Sequence, residues 1–316
     1  MDLTQILHLI CSPRTKQPLK IESGSLVTGN DGDHEERYPI SPSGIPLFAQ
    51  QPESASSQEQ QKHYDKIAKT YIANLGYPHT QEYSRYLDNC LSQELQSEGL
   101  GVMAELCCGT GEAITLFQGK FDLAIGIDIS INMLETAKSN LERNTHAFMQ
   151  GDATELPIRS NTVDSVVMLG GIHHVPDRKR LFSEIHRILK PGGRFYYREP
   201  VSDFIVWRLI RAVIYRLSPM LEHDSERPLL FKETVPVLEE VGLKSRVWKT
   251  YGFFGFCLLM NSDVLVFNRF FRYIPGIRKI TRLFIAIDHF ITNIPGLRKA
   301  GLQVIGVAQK PLKSSS

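Results

Sequence analysis

From Val102 onward the chain alternates between two hydrophobic rhythms. Short, nearly continuous apolar runs over Val102–Cys107, Leu123–Ile127, Ala147–Gln150, Ser165–Leu169 and Arg194–Arg198 predict buried strands, and Leu302–Lys310 predicts a terminal one. Between them, Gly111–Gln118, Ile131–Asn140 and Arg178–Leu189 space their apolar residues as helices do. The last of these is expected to stop at Lys190-Pro191-Gly192-Gly193, because proline and glycine do not continue a helix. Strands alternating with helices predict βαβ units, hence an α/β fold with a doubly wound, mostly parallel sheet.

The flanking stretches follow other patterns. Residues 1–50 combine a short apolar start (Leu3, Ile6, Leu7, Leu9, Ile10) with a polar hairpin and the run Gly44-Ile45-Pro46-Leu47-Phe48, which predicts a small separate module. Residues 51–61 are rich in Ser, Gln, Glu and Pro, have little to bury, and read as a linker. Helical spacing returns over His63–Leu75 and Gln81–Leu95 and leads into a core spanning 62–200 that is completed by 301–311. The intervening 201–300 is far longer than a crossover needs and predicts a helical cap with part of the sheet. Within it Ile205–Leu217 and Lys232–Val241 read as helices. The polar loop Leu221–Pro228, with His223, Asp224 and Glu226, reads as a solvated turn rather than a substrate contact. Over Phe253–Lys299 the sequence Ile274-Pro275-Gly276-Ile277-Arg278-Lys279 returns as Ile294-Pro295-Gly296-Leu297-Arg298-Lys299, which predicts two helical segments each stopped by Pro-Gly.

Composition removes several alternatives. With 36 basic and 34 acidic residues the formal charge is only +2, so the totals carry no nucleic-acid footprint. Five cysteines without a Cys-x-x-Cys pair fit a reducing, cytoplasmic setting and leave no zinc set. The start Met1-Asp2-Leu3-Thr4 lacks a basic leader region, which argues against secretion. The apolar block Tyr251–Met260 breaks at Asn261-Ser262-Asp263, too soon to span a bilayer.

The chemistry gathers at strand ends. Glu105-Leu106-Cys107-Cys108-Gly109-Thr110-Gly111 is a strand running into a glycine turn, where backbone amides can approach an anionic ligand group. Ile114 stands where a dinucleotide fingerprint would need its third glycine, which disfavours nicotinamide and flavin cofactors. Asp128 closes the second strand and can accept from ribose hydroxyls, and Asp152 closes the third beside the small Ala153. The fourth strand ends in Gly170-Gly171-Ile172-His173-His174, and the fifth in Arg198-Glu199-Pro200. Taken singly, each carboxylate could be a helix cap or a solvated charge. Three of them at the strand ends where open α/β sheets bind ligands favour a site.

In this order the motifs closely resemble those of the class I S-adenosylmethionine-dependent methyltransferases, over roughly Tyr64 to Phe195 and again at Leu302–Lys310. The resemblance implies a seven-stranded Rossmann-like sheet and S-adenosylmethionine as cofactor. Glu105 would then hold the donor's amino group, directly or through water, and Gly109 to Gly111 would face its methionine part. Asp128 would take the ribose and Met133 would pack on the adenine. Asp152 would accept from the adenine amine beside Ala153. Tyr71, Ile129 and Leu169 would add cofactor contacts. Cys107 stands where the family usually has glycine, so ordinary strand geometry and a packing role are expected there. Residues 1–50 resemble a zinc-ribbon-like module that accompanies some methyltransferases, yet only Cys11 remains, with Arg14 in a partner position, so no metal is expected.

His173, His174 and Glu199 are the candidates for removing a proton from the methyl acceptor, with a substrate-orienting or ion-paired role as the alternative for Glu199. Simple packing on the sheet accounts for most of the apolar residues of 253–299, and their excess beside Arg269, Arg272, Arg278, Lys279 and Arg282 leaves two alternatives, a lid over a small, partly apolar acceptor or a peripheral membrane contact. The competing functions are RNA methylation and a catalytically silent binding protein on the same fold.

Overall fold

The structure is a computed structural model that describes residues 3–29, 35–49, 76–95, 97, 99–141, 143–210, 227–260 and 266–312. Tyr71, the expected linker 51–61, the whole helix expected at 63–75, the far half of that at 205–217 and most of the 221–228 loop lie outside these residues.

A small antiparallel sheet opens the chain, made of β1 (Leu19–Glu22), β2 (Ser25–Thr28) and β3 (Arg37–Pro39). Helix α1 (Pro78–Ser92) leads into β4 (Val102–Leu106), α2 (Glu112–Leu116), β5 (Leu123–Asp128), α3 (Ile131–Leu141), β6 (His146–Gln150) and β7 (Val163–Leu169). Helix α4 (Arg178–Ile188) then precedes β8 (Leu189–Pro200). After α5 (Phe231–Glu240) come β9 (Lys244–Tyr251), α6 (Phe254–Met260), α7 (Ile277–Asn293) and β10 (Gln303–Gln309).

The large sheet has seven strands in the order β6-β5-β4-β7-β8-β10-β9, parallel except for β10, which runs antiparallel to both neighbours. Strand residues alternate between two cores. Ala104, Ile125, Met149, Val166 and Tyr197 join one, whereas Met103, Ala124, Phe148, Val167 and Tyr196 join the other. This period of two is why the sheet is covered on both faces. Gly306 of β10 must lack a side chain because the ring of Tyr197 crosses it, 2.0 Å from where a Cβ would stand.

The helix expected to stop at Lys190-Pro191-Gly192-Gly193 ends at Ile188, and the strand expected over 194–198 begins earlier, with β8 running from Leu189 through the proline and glycines. The strand β9, Lys-Ser-Arg-Val-Trp-Lys-Thr-Tyr, was not foreseen, since an edge strand with polar residues on both faces lacks an apolar run. As expected, each Pro-Gly follows the end of a helical segment, at Tyr273 and at Asn293, and Gly276 at φ 75° also forms the N-cap of α7. A 3-10 helix, Val266–Tyr273, precedes it.

The N-terminal residues do not form a separate body. Ile10 bridges to Ile158 and Leu47 to Gln150, the last residue of β6, so this part covers the β6 edge of the sheet. Ile6, Leu9, Leu26 and Phe48 share one core with the strands. Cys11 is buried within it, and no group of residues among those described has the makings of a metal site.

Candidate active site

Strand β4 sits at the switch point of the sheet, with β5 on one side and β7 on the other, where the crossovers diverge and a crevice opens. The chain leaves it through Cys107 (φ 50°), Gly109 (φ 50°) and Gly111 (φ 82°), a left-handed turn that glycine adopts freely. Glu105 is buried, and its carboxylate accepts from the amides of Ala113 (2.7 Å) and Ile114 (3.0 Å), tying the strand end to the first turn of α2. Burial pushes this carboxyl up to about 8, against the lowering pull of the two amides. Asp128 Oδ2 accepts from Gly109 N at 2.8 Å and its Oδ1 from Ser130 N at 2.9 Å, so β5 holds the turn from the other side. Asp152 Oδ1 accepts from Thr154 N (2.8 Å) and Thr154 Oγ1 (2.7 Å).

Glu199, fully buried at the end of β8, organises the loop after β7. Its Oε1 accepts from the amides of Gly171 and Ile172, both at 2.8 Å, and its Oε2 lies 2.8 Å from His173 Nδ1. The His173 ring in turn lies 3.9 Å from that of His174, centroid to centroid. Next along β8, Arg198 pairs with Asp88 of α1 and, at 3.1 Å, with Glu112 of α2. Burial raises the Asp88 carboxyl, and the Arg198 guanidinium works against that rise.

A cavity of about 810 Å³ lies over these strand ends. Its walls include the turn from Cys107 to Gly111, Asp128, Asp152, the 170–171 glycines and His174, together with Gln81, Ser84 and Arg85 of α1.

Residues 104–197 match the family described as a methyltransferase domain. A demethylmenaquinone methyltransferase from Bacillus subtilis is 30% identical over 215 residues, covering 60% of this chain and 91% of the relative. The chain belongs to the class I S-adenosylmethionine-dependent methyltransferases. A demethylmenaquinone methyltransferase from Lactococcus lactis is 39% identical over 153 residues, 46% of this chain and 54% of its own length. Among solved structures, the [4+2]-cyclase SpnF superposes with TM-score 0.56 at 17% identity, over 81% of this chain and 97% of the cyclase. An S-adenosylmethionine-dependent methyltransferase from Thermotoga maritima gives 0.52 at 18%, over 79% and 99%. Both share the fold.

S-adenosylmethionine is the cofactor of this methyltransferase, and the residues present fit it. Gly109 leaves open a place where a Cβ would come within 3.3 Å of Met133, so the backbone can approach a ligand lying along the turn. The carboxylates of Asp128 and Asp152 lie along the same cavity wall, acceptors suited to hydroxyl and amine donors. Glu105, Cys107, Gly109, Gly111, Asp128, Ile129, Met133, Asp152, Ala153 and Leu169 all line the cavity, as does His174. His173 and Glu199 are not part of the lining, and Glu199 is held by the loop it organises. The wall formed by α1 escaped sequence reasoning, because Gln81, Ser84, Arg85 and Asp88 read as the outer face of an ordinary helix.

The geometry expected at Cys107 is corrected. The residue sits at φ 50°, the left-handed region, instead of continuing the strand. Gly171 accommodates it, since a Cβ at 171 would come within 2.7 Å of Cys107 Cβ. Burial raises both the Cys107 and Cys108 thiols well above the usual range, which suits packing and not nucleophilic chemistry. Cys107→Gly is therefore expected to keep the melting temperature close to that of the native chain. Cys107→Val, β-branched at the same φ, should cost ~2 kcal/mol in a denaturant titration.

Glu105 gives a pH signature. Its folded value lies above the ordinary carboxyl value of 4.5, so its contribution is fully present below that value and is lost as pH rises through about 8. Glu105→Gln mimics the protonated form. The two proteins should melt alike at acidic pH, with only the native chain losing stability towards about pH 8, and parallel melting curves across that window would refute this assignment.

Proposed function

We propose that this methyltransferase acts on a small, hydrophobic quinone-type ring, an acceptor of the kind for which the Bacillus and Lactococcus relatives are named. One observation carries the reading. The cavity of about 810 Å³ continues from the carboxylates of Asp128 and Asp152 to the His174 side, enough room for a donor and a ring together when single drug-sized ligands occupy roughly 300–1,000 Å³.

When bound, S-adenosylmethionine supplies an electrophilic methyl carbon. Asp128 takes the ribose hydroxyls while holding the turn through Gly109 N. Asp152 accepts from the adenine amine beside Ala153, Met133 packs on the ring, and Ile129 and Leu169 wall the cleft. Glu105 shapes the turn through α2 instead of meeting the donor's amino group itself, because both its oxygens serve Ala113 and Ile114. On the acceptor side the imidazole of His174 takes the proton that the ring or its hydroxyl gives up. His173 and Glu199 are positioning residues: Glu199 fixes the loop and His173, and His173 supports the ring of His174.

This reading assigns 62–200 and 301–311 to the donor and 201–300 to the acceptor side, with 1–50 a packing module joined through 51–61. Incubation of the full chain with donor labelled in its methyl group and a demethylmenaquinone, oxidised or chemically reduced, tests it. Label is expected in the quinone, identified by mass. Label that enters a metabolite of an added cell extract while both quinone forms stay unlabelled would overturn the acceptor assignment.

A further inference from the structure

Helix α7 is built inside out. Three of its four buried positions are polar, beside the apolar Ile277: Thr281 and Asp288 are 0% exposed and Thr292 is buried. Each is satisfied there. Thr281 Oγ1 donates to Ile277 O and Thr292 Oγ1 to Asp288 O, both at 2.9 Å. Asp288 accepts from Tyr83 Oη of α1 at 2.6 Å and from the amides of Phe253 (2.8 Å), Gly255 (3.0 Å) and Phe256 (2.8 Å), at the start of α6. These contacts fix the helix's rotation, and that rotation turns the apolar stripe outward. Ile280, Leu283, Ile287 and Phe290 recur at helical spacing on the exposed side, with Leu283 at 61% and Phe290 at 70% exposure. Upstream, Phe270, Tyr273 and Ile274 are exposed as well.

Charge decides what such a face meets. Between Val266 and Ala300 the sequence holds seven basic residues (Arg269, Arg272, Arg278, Lys279, Arg282, Arg298, Lys299) and one acidic residue, the buried Asp288. Glu82 of α1 pairs with Arg278 and Arg282, which leaves the surplus strongly positive. Arg269 lies over the ring of Phe270, and Arg272 over those of Tyr77 and Tyr273, the mixture of cations and aromatics that suits the boundary between headgroups and acyl chains. A second copy meeting this face about a twofold axis would set basic residues against basic residues with no exposed acid in the segment to answer them.

We propose that the face formed by 269–293 docks on an anionic bilayer surface, with Leu283, Ile287 and Phe290 entering the acyl boundary and the basic residues meeting headgroups. No helix among the described residues is long and apolar enough to cross a membrane, so the contact lies in the plane of the interface. The docked helix borders the active site: Arg278 of α7 donates to Gln81 Oε1 at 3.0 Å, and Gln81 lines the cavity. A lipid-soluble acceptor could thus reach the cavity from the membrane side, yet docking stands or falls independently of the acceptor's identity.

The test is flotation of the full chain with phosphatidylcholine vesicles, with and without about 30% phosphatidylglycerol, in the absence of any quinone. The native chain is expected to float with the anionic vesicles and to lose at least about tenfold in partition on neutral ones or in high salt. The double variant Leu283→Glu/Phe290→Glu should lose at least about tenfold on anionic vesicles while its calorimetric affinity for S-adenosylmethionine stays unchanged. Arg269→Glu/Lys279→Glu gives an independent reading if the first variant folds poorly, and should lose binding likewise. A native chain that stays unbound on anionic vesicles would overturn the proposal, as would folded variants that float like it. So would a native dimer that the substitutions split into monomers without any vesicle binding, which would assign the face to a second copy.

Discussion

Asp128→Ala is expected to weaken S-adenosylmethionine binding about a hundredfold, the equivalent of ~2.8 kcal/mol. Two losses combine. The ribose hydroxyls lose a charged acceptor, and the amides of Gly109 and Ser130 lose the oxygens that hold the turn against β5. Asp128→Asn keeps the shape and one acceptor, so it should fall between the two, near tenfold. Isothermal calorimetry on the full chain reads both values. Native affinity in Asp128→Ala would remove this carboxylate from the donor site.

His174→Ala should act on a different quantity. A positioned base contributes roughly 10²–10⁴ to rate, so kcat is expected to fall at least about a hundredfold while donor affinity stays within about twofold. Glu199→Gln is expected to lower kcat less, because the Glu199 oxygens are held by the amides of Gly171 and Ile172 and by His173. An unchanged kcat in His174→Ala would leave the proton transfer to solvent or to the acceptor itself.

Much of this was legible in the residues. Runs such as Val102–Leu106 and Leu123–Asp128 are buried on both faces, so they announce themselves as strands, and their order predicts where the crevice opens. The glycines of the turn, Asp128 and Asp152 follow from that order. Other features depended on partners distant in the chain. Glu105 and Glu199 both look like ligand-facing carboxylates, yet their oxygens are taken by amides at 113–114 and 171–172, which no local pattern reveals. Cys107 in a left-handed turn is tolerated only because residue 171 is glycine. The edge strand β9 sets Val247, Trp248 and Tyr251 against the cores among Lys, Ser, Arg and Thr, too few apolar positions to form a run, and Pro-Gly marks a helix start as readily as a stop. The stripe of α7 was visible as apolar spacing, but its direction was set by Asp288, whose four donors lie on α1 and at the head of α6.

The location of the donor is open to direct measurement by amide hydrogen exchange of the full chain, with and without saturating S-adenosylmethionine. Peptides covering 107–113, 128–133 and 151–156 should all slow on addition of donor, because these are the stretches that meet at the end of β4, β5 and β6. Unchanged exchange in all three, with protection appearing elsewhere in the chain, would contradict the assignment of the donor to this end of the sheet.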